Sequence, residues 1–88
     1  MSESVVLYTT RYCPYCIRAK QLLSSKGVSF QDIPVDNDPE KRSEMMQKSG
    51  RHTVPQIWIG GTHVGGCDEL YELERKGKLD GMLRRSPA

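Results

Sequence analysis

The chain has 88 residues, 36% of them hydrophobic, so it has room for one domain with a single modest core. Its formal net charge is only +2 and its acidic and basic residues are interspersed, a distribution that does not favour nucleic-acid binding. Apolar runs are far shorter than the roughly 18 residues of a membrane span, and the opening MSESVV lacks the basic and apolar parts of a secretory signal.

The cysteine content is informative in this setting. With no targeting or membrane segment in the sequence, we expect a cytoplasmic protein, and structural disulfides are rare in that compartment. Three cysteines also cannot all pair within one chain. The closely spaced Cys13 and Cys16 are therefore expected to be catalytic or metal-binding rather than a structural disulfide.

The first half of the chain alternates between strand and helix patterns. The β-branched residues in 4–10 predict a strand, and the apolar pattern over 14–26, ended by Gly27, predicts a helix. A second strand is expected over 28–35. We place it near a sheet edge because Pro34 cannot donate a hydrogen bond to a neighbouring strand.

A second helix follows that strand. Asp38 is a typical N-cap residue and Pro39 suits the first helical position, so the helix is expected to start there. It is expected to end at Gly50, with Met45 and Met46 facing the core.

A hairpin and a last helix complete the pattern. Apolar stretches at 56–59 and 62–64 flank two glycines, which is typical of a β-hairpin. The last helix is predicted to begin near Cys67 and to be interrupted at Gly77. Its buried side is expected to contain five apolar residues: Leu70, Leu73, Leu79, Met82 and Leu83.

The predicted element order is β-α-β-α-β-β-α. The first crossover makes the first two strands parallel, and the glycine hairpin makes the last two antiparallel. A mixed four-stranded sheet with helices on both faces fits these connections, in one domain spanning 1–88. This α/β order is a thioredoxin-like fold, in which a Cys-x-x-Cys pair opens the first helix.

The two thiols stand where the first strand passes into the first helix. Cys13 is expected at the N-cap with Pro14 in the first turn, so that the amides of Tyr15 and Cys16 point toward its sulfur. These donors and the positive end of the helix favour a thiolate. We therefore expect Cys13 to be exposed and acidic and Cys16 to be more covered. A stabilised thiolate leaves readily from a mixed disulfide, which suits a thiol-transfer catalyst.

Two further motifs accompany CPYC at 13–16. TVP at 53–55 precedes the third strand, and GGCD at 65–68 opens the last helix. In this order and spacing the three motifs resemble a class I dithiol glutaredoxin of the short bacterial kind, across nearly the whole chain. The resemblance implies a cis Pro55 and a glutathione-dependent thiol–disulfide oxidoreductase that reduces protein disulfides and glutathione mixed disulfides through CPYC.

The resemblance also implies how glutathione binds. The Val54 backbone would pair with the cysteinyl backbone of glutathione. The helix start at GGCD would hold the γ-glutamyl carboxylate, with Asp68 on the ammonium group, and Arg51 is the candidate cation for the glycyl carboxylate. The catalytic residues implied are Cys13 and Cys16. The implied glutathione contacts are Arg11, Tyr15, Arg51, Thr53, Val54, Pro55, Gly66, Cys67 and Asp68.

One position departs from the family pattern. Members usually carry Lys or Arg three residues before the first cysteine, where this chain has Thr10. The neighbouring Arg11 is the candidate replacement for that cation.

The resemblance implies partners as well. Glutathione is the reducing co-substrate, and disulfide-bearing or glutathionylated proteins are the substrates, with ribonucleotide reductase as one candidate. No metal, nucleic acid or membrane is implied, and the chain is expected to be a monomer.

Other readings of the same residues stay open. A zinc site could draw on four residues of acceptable type, Cys13, Cys16, His63 and Cys67. An electron donor reduced by thioredoxin reductase would share the CxxC pair and the cis proline but lack a glutathione site. An iron–sulfur carrier would hold a [2Fe–2S] cluster with Cys13 from two subunits and two glutathiones. In the preferred interpretation Cys67 is a packing residue or spare thiol, and His52 and His63 are exposed and inert.

Overall fold

The computed structural model describes residues 4–83; residues 1–3 and 84–88 lie outside the described part. Within 4–83 the elements follow the predicted order, and the last helical region is divided at Gly77 as predicted, where the backbone φ is 72°. The strands and helices are β1 Val5–Thr9, α1 Pro14–Ser25, β2 Gln31–Pro34, α2 Pro39–Ser49, β3 Gln56–Ile59, β4 Thr62–Gly65, α3 Cys67–Arg75 and α4 Leu79–Leu83.

The strands form one mixed sheet in the order β2-β1-β3-β4. β1 runs parallel to β2 and antiparallel to β3, and β3 runs antiparallel to β4. The predicted thioredoxin-like topology and the edge position of β2 are confirmed. None of the helices within 4–83 combines the length and apolar character that crossing a membrane requires.

Alternating side chains of the sheet pack against helices on both of its faces. Successive residues of a strand point to opposite faces, so Leu7 joins a large core with α1, α3 and α4, while Tyr8 joins a smaller core with Met45 of α2. The prediction that Met46 faces the core is wrong, since 43% of its surface is exposed. It follows Met45 by one residue and therefore lies about 100° away around the helix.

The CPYC, TVP and GGCD motifs all lie at the same end of the sheet. β1 leads into the CPYC helix start, and Tyr8 near the end of β1 pairs with Gln56 at the start of β3. The residues just before Gln56 are TVP, so this loop lies beside the start of α1. Ile57 pairs in turn with Gly65, where β4 leads into α3. The register of the sheet thus places two helix starts on either side of the loop at 53–55.

Candidate active site

Cys13 is the N-cap residue of α1 and lies against the loop at 53–55. Its backbone is extended, and its Sγ accepts a hydrogen bond of 3.2 Å from the amide of Cys16. The same sulfur lies 3.9 Å from the carbonyl oxygen of Val54. A protonated Cys13 can donate to that carbonyl, whereas a thiolate keeps only the bond from the helix amide. The helix start therefore provides the contact that an ionised sulfur needs.

The prediction that Cys13 is exposed is wrong in degree. Its relative exposure is 8%, and that of Cys16 is 1%, so both cysteines are buried although Cys13 is the more accessible. The loop carrying Val54 approaches Cys13 from 41 residues away in the sequence and covers part of it. The structure shows both cysteines as free thiols.

Cys16 lies one turn deeper in the protein. Burial is the main cause that raises the pKa of the Cys16 thiol to about 12, and the hydrogen bond and the charge of Cys13 raise it further. A backbone hydrogen bond at Thr10 acts in the opposite direction. While Cys13 carries a free sulfur, Cys16 is therefore protonated at neutral pH and is a poor nucleophile.

The loop at 53–55 has the backbone form that the resemblance implied. The Val54–Pro55 peptide bond is cis, which confirms that prediction. The loop is tied to the sheet by Gln56, whose side-chain amide donates to the Thr53 carbonyl at 2.9 Å and to Thr53 Oγ1 at 3.2 Å. Gln56 is completely buried, so these hydrogen bonds form away from solvent.

The start of α3 forms the opposite wall. Gly66 is its N-cap, and a Cβ on Gly66 would lie 3.2 Å from the Pro55 carbonyl oxygen, so the glycine permits a close approach of this wall to the loop. The Gly66 amide donates to Glu69 Oε1 at 2.7 Å, as in a capping box. The amides of Cys67 and Asp68 follow in the first turn, where an α-helix has no internal acceptor for them.

Glu69 connects the α3 wall with Arg51. Its Oε1 lies 3.5 Å from Arg51 Nη1, and both side chains are about half exposed. The hydrogen bond from the Gly66 amide is the main cause that lowers the pKa of Glu69, and the charge of Arg51 adds to it. Glu69 is thus ionised at neutral pH. The carboxylate balances the charge of the guanidinium at this end of the site.

The walls enclose an open cavity of about 210 Å³. Eight of the nine residues predicted to contact glutathione line this cavity, and Glu69 lines it as well. The lining residues are Tyr15, Arg51, Thr53, Val54, Pro55, Gly66, Cys67, Asp68 and Glu69.

Arg11 is the predicted contact that the structure does not bring to this cavity. Its Nε lies 3.3 Å from Asp36 Oδ2, and its backbone amide donates to the same oxygen at 3.4 Å. Asp36 follows β2, on the other side of β1 from the loop at 53–55. The guanidinium is therefore paired at a different edge of the molecule.

The proposed zinc ligands are not assembled. Among the residues in 4–83, no group of three or more His, Cys, Asp or Glu side chains could hold a metal ion. His63 Nε2 instead lies 2.8 Å from Gln56 Oε1, and its ring stands 4.7 Å from that of Trp58. The expectation of an exposed His63 is wrong, since it is half-buried. Burial and the charge of Arg51 lower the pKa of His63, while Glu69 raises it.

Two features of the site were missed by sequence reasoning. Glu69 stands three residues after Gly66, which is the spacing of the second member of a capping box, so a systematic search for caps could have found it. The contact between Gln56 and His63 depends on the pairing of β3 with β4 and on a register shift between Ile57 and Trp58. No local sequence signal reports that shift.

Comparison with known proteins agrees with this geometry. The family model described as Glutaredoxin matches residues 5–64. A glutaredoxin of Pseudomonas aeruginosa is 67% identical over 79 residues, covering 90% of this chain and 94% of that protein.

Solved structures give the same result. The solution structure of glutaredoxin from Brucella melitensis has a TM-score of 0.84 and 52% identity, covering 99% of this chain and 95% of that one. A crystal structure of a buckwheat glutaredoxin–glutathione complex has a TM-score of 0.84 and 39% identity, covering 90% of this chain and 74% of that one.

Proposed function

The chain belongs to the glutaredoxin family, whose members are thiol–disulfide oxidoreductases, and we propose that it reduces protein disulfides and glutathione mixed disulfides at the expense of glutathione. Cys13 is the attacking thiol and Cys16 the resolving thiol of this proposal. The proposed unit is a single domain spanning residues 1–88.

One observation carries the proposal. The sulfur of Cys13 lies 3.9 Å from the carbonyl oxygen of Val54, and the cavity that Val54 lines offers its backbone, first-turn amides at Cys67 and Asp68, and a guanidinium at Arg51. Glutathione has a peptide backbone and carboxylates at both ends, and these groups match the three walls in chemistry. The buckwheat relative supports the match, because that glutaredoxin was crystallised as a complex with glutathione.

The proposed reaction begins with the Cys13 thiolate attacking the glutathionyl sulfur of a mixed disulfide. A new S–S bond forms between Cys13 and glutathione, the old S–S bond breaks, and the substrate thiolate leaves and takes up a proton. A second glutathione, as its thiolate, then attacks the glutathionyl sulfur. Glutathione disulfide departs and the Cys13 thiolate is restored.

The dithiol route uses Cys16 in the second step. Two causes that raise the pKa of Cys16, its hydrogen bond to the Cys13 sulfur and the charge of that sulfur, are lost once Cys13 is part of a mixed disulfide. Burial remains. Cys16 therefore becomes a better nucleophile only after Cys13 has reacted. It then loses a proton, attacks the Cys13 sulfur and expels the bound thiolate.

The wider context is also part of the proposal. A glutathione pool is needed as reductant, and the cytoplasm provides one. Proposed substrates are glutathionylated or disulfide-bearing proteins, with ribonucleotide reductase as one candidate, and the protein is proposed to act as a monomer.

The test is a disulfide-reduction assay with a mixed disulfide of glutathione and a small thiol, coupled to glutathione reductase. Wild-type protein and C16S should turn over, because Cys13 and external glutathione suffice, whereas C13S should be inactive. Equal activities for C13S and C16S would refute the assignment of roles. Oxidised wild-type protein that thioredoxin reductase reduces but glutathione does not would instead identify an electron donor of the thioredoxin type.

A further inference from the structure

A chain of hydrogen bonds runs from β4 to the loop at 53–55. His63 Nε2 lies 2.8 Å from Gln56 Oε1, and Gln56 Nε2 donates to the carbonyl and the Oγ1 of Thr53 at 2.9 and 3.2 Å. Thr53 belongs to the cavity lining, whereas Gln56 and His63 do not. These hydrogen bonds therefore connect the proposed glutathione site to two residues that do not line the cavity.

The donors and acceptors in this chain follow from chemistry. The Thr53 carbonyl can only accept a hydrogen bond, so the Gln56 atom facing it is the nitrogen of the amide. The other amide atom, which faces His63, is then an oxygen and can only accept. His63 must donate to it, so neutral His63 carries its proton on Nε2.

His63 and Gln56 are held in place by their surroundings. Gln56 is fully buried, so an unsatisfied amide oxygen there would be costly. The His63 ring stands 4.7 Å from the Trp58 ring, on the adjacent strand. The donor is therefore fixed in direction, and it holds the edge of the Gln56 amide that faces away from Thr53.

We propose that His63 is a positioning residue for the glutathione-binding loop, which it orients through the side-chain amide of Gln56. This inference rests on the proposed function. Without the His63 donor the buried amide oxygen of Gln56 loses its partner, and the hydrogen bonds to Thr53 lose the contact that holds the opposite edge of the amide in place. The Val54 backbone then meets glutathione in a less fixed position. Since that contact is made in ground and transition states alike, its loss raises KM and leaves kcat unchanged.

The test compares H63F, H63Q and wild type in the glutathione mixed-disulfide assay. Phe keeps an aromatic ring beside Trp58 but removes the donor. We expect KM to rise roughly 3- to 10-fold, which corresponds to the free energy of one hydrogen bond. Gln carries an amide nitrogen at the same number of bonds from the backbone as the histidine Nε2. H63Q should therefore restore most of the wild-type KM.

The matched control is H52F, a change of the chain's other histidine, which is exposed. It should leave KM and kcat unchanged. An H63F enzyme with wild-type KM, or an H63Q enzyme as impaired as H63F, would overturn the positioning role. A wild-type enzyme without glutathione-dependent turnover would instead remove the proposed function itself, so the two failures are distinguishable.

A measurement on wild-type protein covers the case in which H63F does not fold. The ¹⁵N chemical shifts of the His63 ring distinguish the two neutral tautomers above neutral pH. A dominant Nε2–H tautomer supports the proposal. A dominant Nδ1–H tautomer would leave no donor toward Gln56 and would overturn it.

Discussion

Arg51 Nη1 lies 3.5 Å from Glu69 Oε1, and both residues line the candidate glutathione cavity. Arg51 is the cation proposed for the glycyl carboxylate of glutathione, so an anionic ligand meets a guanidinium that already has an anionic neighbour. Both side chains are about half exposed, which limits the strength of their attraction. Glu69 therefore lowers the affinity of the proposed site for an anionic ligand, but it does not prevent binding.

The first prediction concerns E69Q. Gln keeps an oxygen that can accept from the Gly66 amide but removes the charge beside Arg51. We expect KM for the glutathione mixed disulfide to fall roughly 1.5- to 5-fold at low ionic strength, the range of an exposed ion pair. The gain should shrink as salt is added, because salt screens the charge in both proteins.

The control for E69Q is E72Q, which makes the same charge change on the same helix. Glu72 pairs with Arg75 and Lys76 and does not line the cavity. Its KM should match that of wild type at every salt concentration. A gain of equal size in E72Q would show that overall charge, rather than the contact with Arg51, sets the affinity.

The second prediction concerns pH and the resolving step. Burial, the main cause that raises the pKa of Cys16, remains when Cys13 is glutathionylated, so the thiolate stays the minor form near neutral pH and its fraction grows with pH, about tenfold per unit below the pKa. In protein that is glutathionylated at Cys13, formation of the Cys13–Cys16 disulfide should therefore accelerate as pH rises above 7.

Acid-quenched single turnovers analysed by mass spectrometry measure this step. The fraction of Cys13–Cys16 disulfide and the release of glutathione should increase together with pH. In C16S the glutathionylated form should persist at every pH until glutathione is added. A resolving rate that stays flat between neutral and alkaline pH would mean that Cys16 is already ionised in the mixed disulfide, contrary to its burial.

The element order could be predicted from the sequence because its signals are local. At the N-cap the carboxylate oxygen of Asp38 accepts a hydrogen bond of 3.1 Å from the Lys41 amide, and Gly50 ends the same helix with φ of 72°. Each signal acts within a few residues and needs no knowledge of the rest of the fold. The division at Gly77 was visible for the same reason.

The exposure of particular residues could not be predicted in this way. Cys13 is covered by a loop 41 residues away, and no property of CPYC determines how closely that loop approaches. Ile17 fits the apolar pattern of α1, yet it is 48% exposed because it lies on the side of the helix away from the sheet core. The partial burial of His63 likewise depends on its contact with Gln56, which lies on the other strand of the hairpin.

The last prediction tests the close approach of the two cavity walls. Gly66 has φ of −103° and ψ of −161°, which alanine adopts without strain, so G66A adds only a methyl group. That Cβ would lie 3.2 Å from the Pro55 carbonyl oxygen, and the start of α3 must move away from the loop by a few tenths of an ångström. We expect a free energy of unfolding lower by about 1–2 kcal/mol, as in overpacked cores, and a KM for the mixed disulfide several-fold higher.

Gly81 is the matched control for G66A, because it lies inside α4 and, among residues 4–83, no atom beyond its chain neighbours and the helix's own backbone lies within 4 Å of an added Cβ. G81A should raise the free energy of unfolding by roughly 0.5–1 kcal/mol, since alanine favours the helix, and should leave KM unchanged. Denaturant unfolding and steady-state kinetics on both variants separate the two effects. If G66A lost stability while retaining wild-type KM, the spacing between α3 and the Pro55 carbonyl would matter for folding alone, and this wall would not be part of the glutathione site.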